Sequence, residues 1–216
     1  SSETSRASSA TKSAIARPLI GPRRVLAVNW IRDMLVTITP LTAPVKAAAT
    51  QREPGAWCED DGMPETSLVR YAVGERIATL TLDSPHNRNA LSRALVGELT
   101  AALDRAARDE TATVVVIESS QRVFCAGADL SEATTVGMSQ SAPAIVALQR
   151  AILAHPKPVV TKIAGPVRAG GLGIVAASDV AVAAEGATFA LTEVKLGLAA
   201  AVISLTVGHR MSPRAA

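Results

Sequence analysis

Three short strings carry residues whose types and spacing suit them to chemistry. Phe124-Cys125-Ala126-Gly127-Ala128-Asp129-Leu130 follows a β-branched run and a polar loop at 119–122. Small residues after a buried strand let backbone N–H groups approach a ligand closely. The same string would equally suit a tight turn that binds nothing. Gly165-Pro166-Val167-Arg168-Ala169-Gly170-Gly171-Leu172-Gly173 leads into a predicted helix. Unpaired N–H groups at a helix N-terminus favour a negative or partly negative oxygen. Phe189-Ala190-Leu191-Thr192-Glu193-Val194-Lys195-Leu196-Gly197-Leu198 sets one carboxylate, Glu193, among apolar residues. A Glu in such a string is usually a surface group or an ion-pair partner, here of Lys195. Desolvated, it would have a raised pKa suited to proton transfer.

Competing chemistries find less support. Gly171-Leu172-Gly173-Ile174-Val175-Ala176 fits the GxGxxG/A dinucleotide fingerprint, with Glu193 about twenty residues on. The preceding strand does not feed these glycines directly, because Pro166-Val167-Arg168-Ala169 intervenes, and no full βαβ array remains after them. A GxSxG elbow, a P-loop and an HExxH motif are all missing. His86, His155 and His209 are isolated in sequence, which suits structural or surface roles better than metal ligation.

The elements that must position these strings can be read from periodicity. Residues 68–73 and 77–83 read as strands broken by Gly74-Glu75, a hairpin signal. Ser92 can cap a helix to about residue 107, with Leu95, Leu99, Ala102, Leu103 and Ala106 on one face. Residues 113–118 (TVVVIE) suit a strand buried on both faces. A helix is predicted over 142–154, with Ile145, Leu148 and Ile152 on one side. A strand over 158–164, the Gly-rich turn, a helix over 171–177 and a strand over 179–184 follow. Alternating strands and helices indicate an α/β architecture with largely parallel sheets.

Composition narrows the classes. At 48% hydrophobic and 19% charged, the 216 residues are too apolar for disorder throughout. Nucleic-acid binding is not expected, since 22 basic residues are offset by 19 acidic ones without a basic block. Cys58 and Cys125 fit neither a disulfide framework nor a zinc site, and no apolar stretch is long enough for a membrane span. Only five aromatics occur, so Ala, Val, Leu and Ile must build the core.

Residues 1–52 differ from the rest. They hold eight Lys/Arg against Glu3 and Asp33 and show no sustained period. We expect residues 1–65 to be a disordered, non-core extension and 66–216 to be the folded domain. A basic, Ser-rich start also fits an organelle transit peptide over 1–62; otherwise a cytoplasmic location is expected. At the other end, Ser212-Pro213 reads as a helix start without a body, suggesting a domain cut short. Apolar Val202, Ile203, Leu205 and Val207 would then lack partners.

Taken together, these residues resemble the crotonase superfamily, the enoyl-CoA hydratases and isomerases. The resemblance runs from about residue 68 to 216. Its markers are Ser84-Pro85-His86-Asn87-Arg88-Asn89-Ala90-Leu91, then Phe124 to Leu130. After these come Lys157-Pro158, Ala169-Gly170-Gly171, Ser178-Asp179 and Thr192 to Leu198. It implies a spiral of ββα units, truncated at the C-terminus, in which the N–H groups of Ala128 and Gly170 face a thioester carbonyl. Two preorganised donors in a dry site are worth on the order of ~3 kcal/mol each as enolate charge develops. Substrate contacts would fall to Asn89, Ala90, Leu91, Ala126, Gly127, Asp129 and Gly171. Coenzyme A is part of the substrate, so no metal or further cofactor is implied. A homo-oligomer, trimer or hexamer, is also implied.

Family hydratases hold one water with two glutamates. Glu193 matches the later one, whereas the earlier falls at Gly173. The expectation is therefore an enoyl-CoA hydratase/isomerase-type enzyme (a lyase or an isomerase) of lipid or related acyl-CoA metabolism, acting through an oxyanion hole and a single glutamate. A Δ3-Δ2 enoyl-CoA isomerase without hydratase activity and a non-catalytic CoA-binding fragment are the alternatives. On this reading Gly173→Glu would restore the second carboxylate.

Overall fold

Alternating apolar and polar residues at the start of the folded region form a hairpin, β2 (Val69–Gly74) and β3 (Ile77–Leu82), paired antiparallel. The computed structural model describes residues 67–132 and 138–214, together with the backbone of Val25–Val28. Gly74, expected in the turn, pairs with Ile77 instead. The turn consists of Glu75 and Arg76, both left-handed at φ 53° and 64°. Two positive φ values in a two-residue loop match the right-handed twist of the flanking strands. The Arg76 carbonyl accepts the Thr113 N–H at 2.8 Å, tying the turn to the next strand.

Helix α1 (Arg93–Arg108) follows, capped as expected by Ser92, whose hydroxyl accepts the Leu95 N–H at 3.2 Å. Leu95, Leu99, Ala102, Leu103 and Ala106 are all buried, with Val96 beside them. Each large side chain contributes roughly 2 kcal/mol by leaving water. The remaining elements are β4 (Val114–Ser119), α2 (Met138–Leu153), β5 (Val159–Ile163), β6 (Val167–Arg168) and α3 (Gly170–Ala177). After them come β7 (Val180–Ala184), β8 (Phe189–Ala190) and α4 (Ala201–His209). With β1 (Val25–Val28) at one edge, the main sheet has six strands in the order β1-β7-β5-β4-β3-β2, parallel from β3 to β7. Strands β6 and β8 form a separate parallel pair. The result is an α/β fold, as expected.

Two expectations need correction. Strand β4 is buried on one face only: Val115 and Ile117 are fully covered, whereas Val114, Val116 and Glu118 are half-buried. The reason is the polar character of the sheet's second face. There Glu118 accepts from Thr81 at 3.4 Å and pairs with Lys162 at 2.7 Å. The second correction concerns the N-terminal extension. Val25–Val28 forms β1, paired antiparallel with β7 from Val25↔Ala184 to Val28↔Ala181. Val-Leu-Ala-Val has the apolar, β-branched character to extend a sheet at its edge. The rest of 1–65 lies outside the described residues.

The hairpin turn yields a stability prediction. A non-glycine residue in the left-handed region costs roughly 1 kcal/mol. Replacing Glu75 by Asn and Arg76 by Gly should therefore stabilise the fold by about 1 kcal/mol, seen as a rise in Tm of several degrees. No gain in a thermal melt would mean that the native side chains offset the backbone strain.

Candidate active site

The site begins where β3 ends. Ser84 leads into a 3₁₀ turn, Pro85–Asn87, and Arg88 and Asn89 both sit at positive φ, 57° and 55°. Asn89 is fully buried. Its Oδ1 accepts the Ser84 N–H at 2.7 Å, and its Nδ2 donates to Ser119 Oγ at 2.8 Å and to the Phe124 carbonyl at 3.2 Å. The Asn89 side chain thus pins the loop from inside and is not open to a ligand. Asn tolerates the left-handed region better than most residues, which suits it to this corner. The loop then lies against the 125–129 turn. Leu91 N–H donates to the Gly127 carbonyl at 2.7 Å, and Ala126 N–H to the Arg88 carbonyl at 3.1 Å. Ala90 and Leu91 are both buried.

The glycine-rich string docks on that turn from the other side. Phe124 N–H donates to the Pro166 carbonyl at 3.0 Å, and Arg168 N–H to the Cys125 carbonyl at 2.9 Å. At closest approach there is no room for side chains. A Cβ on Gly127 would lie 2.7 Å from the Ala169 Cβ, and Gly127 also has φ +99°. A Cβ on Gly170 would lie 2.9 Å from Leu91 Cδ1 and 3.8 Å from the Ala128 nitrogen. Gly171 presses on Cys125, where an added Cβ would meet the Cys125 Cβ at 2.8 Å. Ala169, just before α3, adopts φ 46° and ψ −121°, a conformation rarely open to a residue with a Cβ. The structure therefore brings Leu91, Gly127, Ala128, Gly170 and Gly171 together. The N–H groups of Ala128 and Gly170 donate to no backbone carbonyl among the described residues.

Asp129 stands at the edge of this turn. Its carboxylate accepts from Ser131 N–H and Oγ at 2.9 and 2.6 Å, and from Asn87 Nδ2 at 2.9 Å. These bonds, Ser131 first, hold its carboxyl below the usual carboxylate range. Cys125 is wholly buried, and burial pushes its thiol up to about 12, despite the Gly127 N–H nearby.

Glu193 arrives from β8. The Ala190 carbonyl accepts the Ala169 N–H at 3.0 Å, so the chain leaves β8 beside the glycine turn. Three residues later Glu193 opens a 3₁₀ turn, Glu193–Leu196, closed by Gly197 at φ 68°. The residue is half-buried, and its Oε2 is buried with no hydrogen-bond partner among the described residues. A buried, unpaired carboxylate oxygen is costly and marks a functional candidate. No group of three or more His, Cys, Asp or Glu side chains among the described residues could hold a metal ion. Nor is any described helix long and apolar enough to cross a membrane.

Residues 72–216 match the family model described as enoyl-CoA hydratase/isomerase. The chain belongs to that family. It is 35% identical over 128 residues to the 2,3-dehydroadipyl-CoA hydratase of Escherichia coli, covering 57% of this chain and 49% of that protein. Its fold resembles an enoyl-CoA hydratase from Mycobacterium avium with a TM-score of 0.61, at 45% identity over 69% of this chain and 60% of that one. An enoyl-CoA hydratase from Shewanella pealeana gives 0.64 at 31% identity, over 68% and 58%. The chain spans about half the length of curated relatives such as the E. coli protein.

Within this family member, Gly173 corrects an expectation. A Cβ there would lie 2.8 Å from Ile203 Cγ2 and 2.9 Å from Gln149 Cδ. The space that a second carboxylate would need is filled, so Gly173→Glu cannot simply restore one. Helix α4 accounts for half of this filling. Its Ile203 and Thr206 are buried against the domain, whereas Leu205 is exposed. The apolar residues of 202–207 are thus partly partnered. Gln149, adjacent to the apolar row of Ile145, Leu148 and Ile152, was not singled out from the sequence. A lone amide beside such a row is the signal that could have found it.

Two measurements test this packing. Gly127→Ala combines backbone strain with a Cβ–Cβ collision and should cost about 3 kcal/mol or more in urea unfolding. Gly170→Ala meets only the end of a flexible Leu91 side chain and should cost about 1 kcal/mol. Equal costs would show that the turns can separate. The Cys125 thiol gives a pH test. Above pH ~9 the unfolded chain loses a proton that the folded chain keeps until about 12, so stability should fall across that window. The slope contributed by this group is about 1.4 kcal/mol per pH unit, and Cys125→Ala should remove it.

Proposed function

We propose that this chain acts on acyl-CoA thioesters as an enoyl-CoA hydratase/isomerase-type enzyme, with Glu193 as its single proton-transfer group. One observation carries the reading. Two N–H groups without backbone partners, on Ala128 and Gly170, sit on touching turns, and the strand pairing beside them delivers a carboxylate with a buried, unpaired oxygen.

The chemistry follows from charge. A thioester carbonyl oxygen accepting from both N–H groups gains negative charge when a proton leaves the neighbouring carbon. Fixed donors at that oxygen lower the barrier without reorganising at the moment of reaction. For a 3-enoyl thioester, Glu193 removes a proton from C2, and the electron pair forms a C1–C2 double bond as the carbonyl π pair moves onto the oxygen. The resulting dienolate keeps its C3–C4 double bond; the C2–C3 double bond forms only when C4 is protonated. The protonated Glu193 then returns the proton to C4, and the 2-enoyl thioester results. Atoms and charge balance with one carboxylate. Syn-hydration asks in addition for a group that holds and activates water, and Gly173 offers none. Losing one general acid–base group costs roughly 10²–10⁴ in rate. The one-carboxylate shuttle is accordingly the reading favoured over efficient hydration.

The test compares crotonyl-CoA and a 3-enoyl-CoA as substrates of the whole chain. Isomerisation should exceed hydration, and Glu193→Gln should lower isomerisation by at least about 10²-fold. Coenzyme A should raise Tm equally in parent and variant, whereas NAD should not. Near-parental turnover by Glu193→Gln would overturn the assignment of Glu193. Rapid crotonyl-CoA hydration would overturn the one-carboxylate reading.

A further inference from the structure

The three helices around Gly173 meet through a contact that is mostly apolar, with one exception. Gln149, on α2, is buried in it. Its Oε1 accepts from Thr206 Oγ1 of α4 at 2.6 Å, and its Nε2 donates to the Val202 carbonyl of α4 at 3.3 Å. Gly173, one turn beyond Gly170 on α3, gives up its side-chain volume to this amide and to Ile203. One side chain, Gln149, therefore carries both of these polar contacts from α2 to α4, directly over the helix whose first residue is Gly170.

We propose that Gln149 and Thr206 are positioning residues: their buried amide–hydroxyl pair sets the register of α4, and through it the placement of Glu193 against Gly170. The inference rests on the reading of Glu193 as the proton-transfer group. Apolar contacts are non-directional, so Ile203 could be buried at several rotations of α4. A hydrogen bond in a dry contact has one geometry, and missing it leaves polar atoms unsatisfied. Helix α4 begins at Ala201, eight residues after Glu193. The intervening segment is short and braced: Leu198 N–H donates to the Glu193 carbonyl at 3.1 Å, and Ser204 N–H to the Ala200 carbonyl at 3.1 Å. A shift in α4 is thereby passed to the carboxylate, and a displacement near 1 Å costs about 10²-fold in rate.

The test separates register from stability. Removing both partners together, in Gln149→Met with Thr206→Val, also removes the bond to the Val202 carbonyl but leaves no buried polar side chain without a partner, and should keep Tm within a few degrees of the parent. Thr206→Val alone orphans the Gln149 oxygen and should melt earlier than the double variant. Isomerisation kcat of the double variant should nevertheless fall about 10- to 100-fold, with KM within about threefold. Thr206→Ser, which keeps the hydroxyl, should retain parental kcat. Unchanged kcat in the double variant, or kcat that merely follows Tm across the series, would overturn the proposal. A parent without turnover refutes the function reading rather than this one. Hydrogen exchange then decides: protection of the Leu198 amide should drop at least tenfold in the double variant while α1 amides hold. Equal protection overturns the proposal.

Discussion

Two backbone turns approach so closely at Gly127 and Gly170 that an added Cβ would collide with Ala169 at the first and press on Leu91 at the second, and much of the site is arranged to keep them there. One turn ends the β4 crossover and the other follows β5. They meet because β4 and β5 are parallel neighbours, so both strands deliver their C-terminal ends to the same edge of the sheet. Position alone would leave two flexible glycine loops. The cross-bonds from Phe124 to Pro166 and from Arg168 to Cys125 remove that freedom. Asn89 locks the third loop beneath them, and Leu91 closes over Gly170. What this scaffolding leaves is a pair of N–H groups without backbone partners among the described residues, on half-buried Ala128 and buried Gly170.

Some of this could be read from residue order. The Ser92 cap and the Leu95, Leu99, Leu103 row define α1 with little ambiguity, because capping and periodicity are local. The glycine strings were recognisable because only small residues permit backbone contact. Other features depend on partners far away in the chain. Whether β4 has one covered face or two is decided by Thr81 and Lys162 on neighbouring strands, not by its own β-branched run. The pairing of Val25–Val28 with β7 joins residues more than 150 apart, a separation no local pattern spans. Gln149 looks like a surface residue next to an apolar row until α4 is packed over it.

Helix α3 shows why such distant contacts matter for the site. Eight residues with glycine at 170, 171 and 173 make a poor helix on propensity, since each glycine costs about 1 kcal/mol and short helices are marginal in water. It forms because seven of the eight residues are buried. Its C-terminal end is also closed from outside. Ser178 Oγ donates to the Ile174 carbonyl at 2.9 Å, and Arg210 donates to the Ala176 and Ser178 carbonyls, both at 2.8 Å. A cation there opposes the negative end of the helix dipole. Helix α4 is thus attached through Thr206 and the Val202 carbonyl to Gln149, and through its C-cap, Arg210, to the end of α3. The weak helix that presents Gly170 and the segment that presents Glu193 are held by the same element.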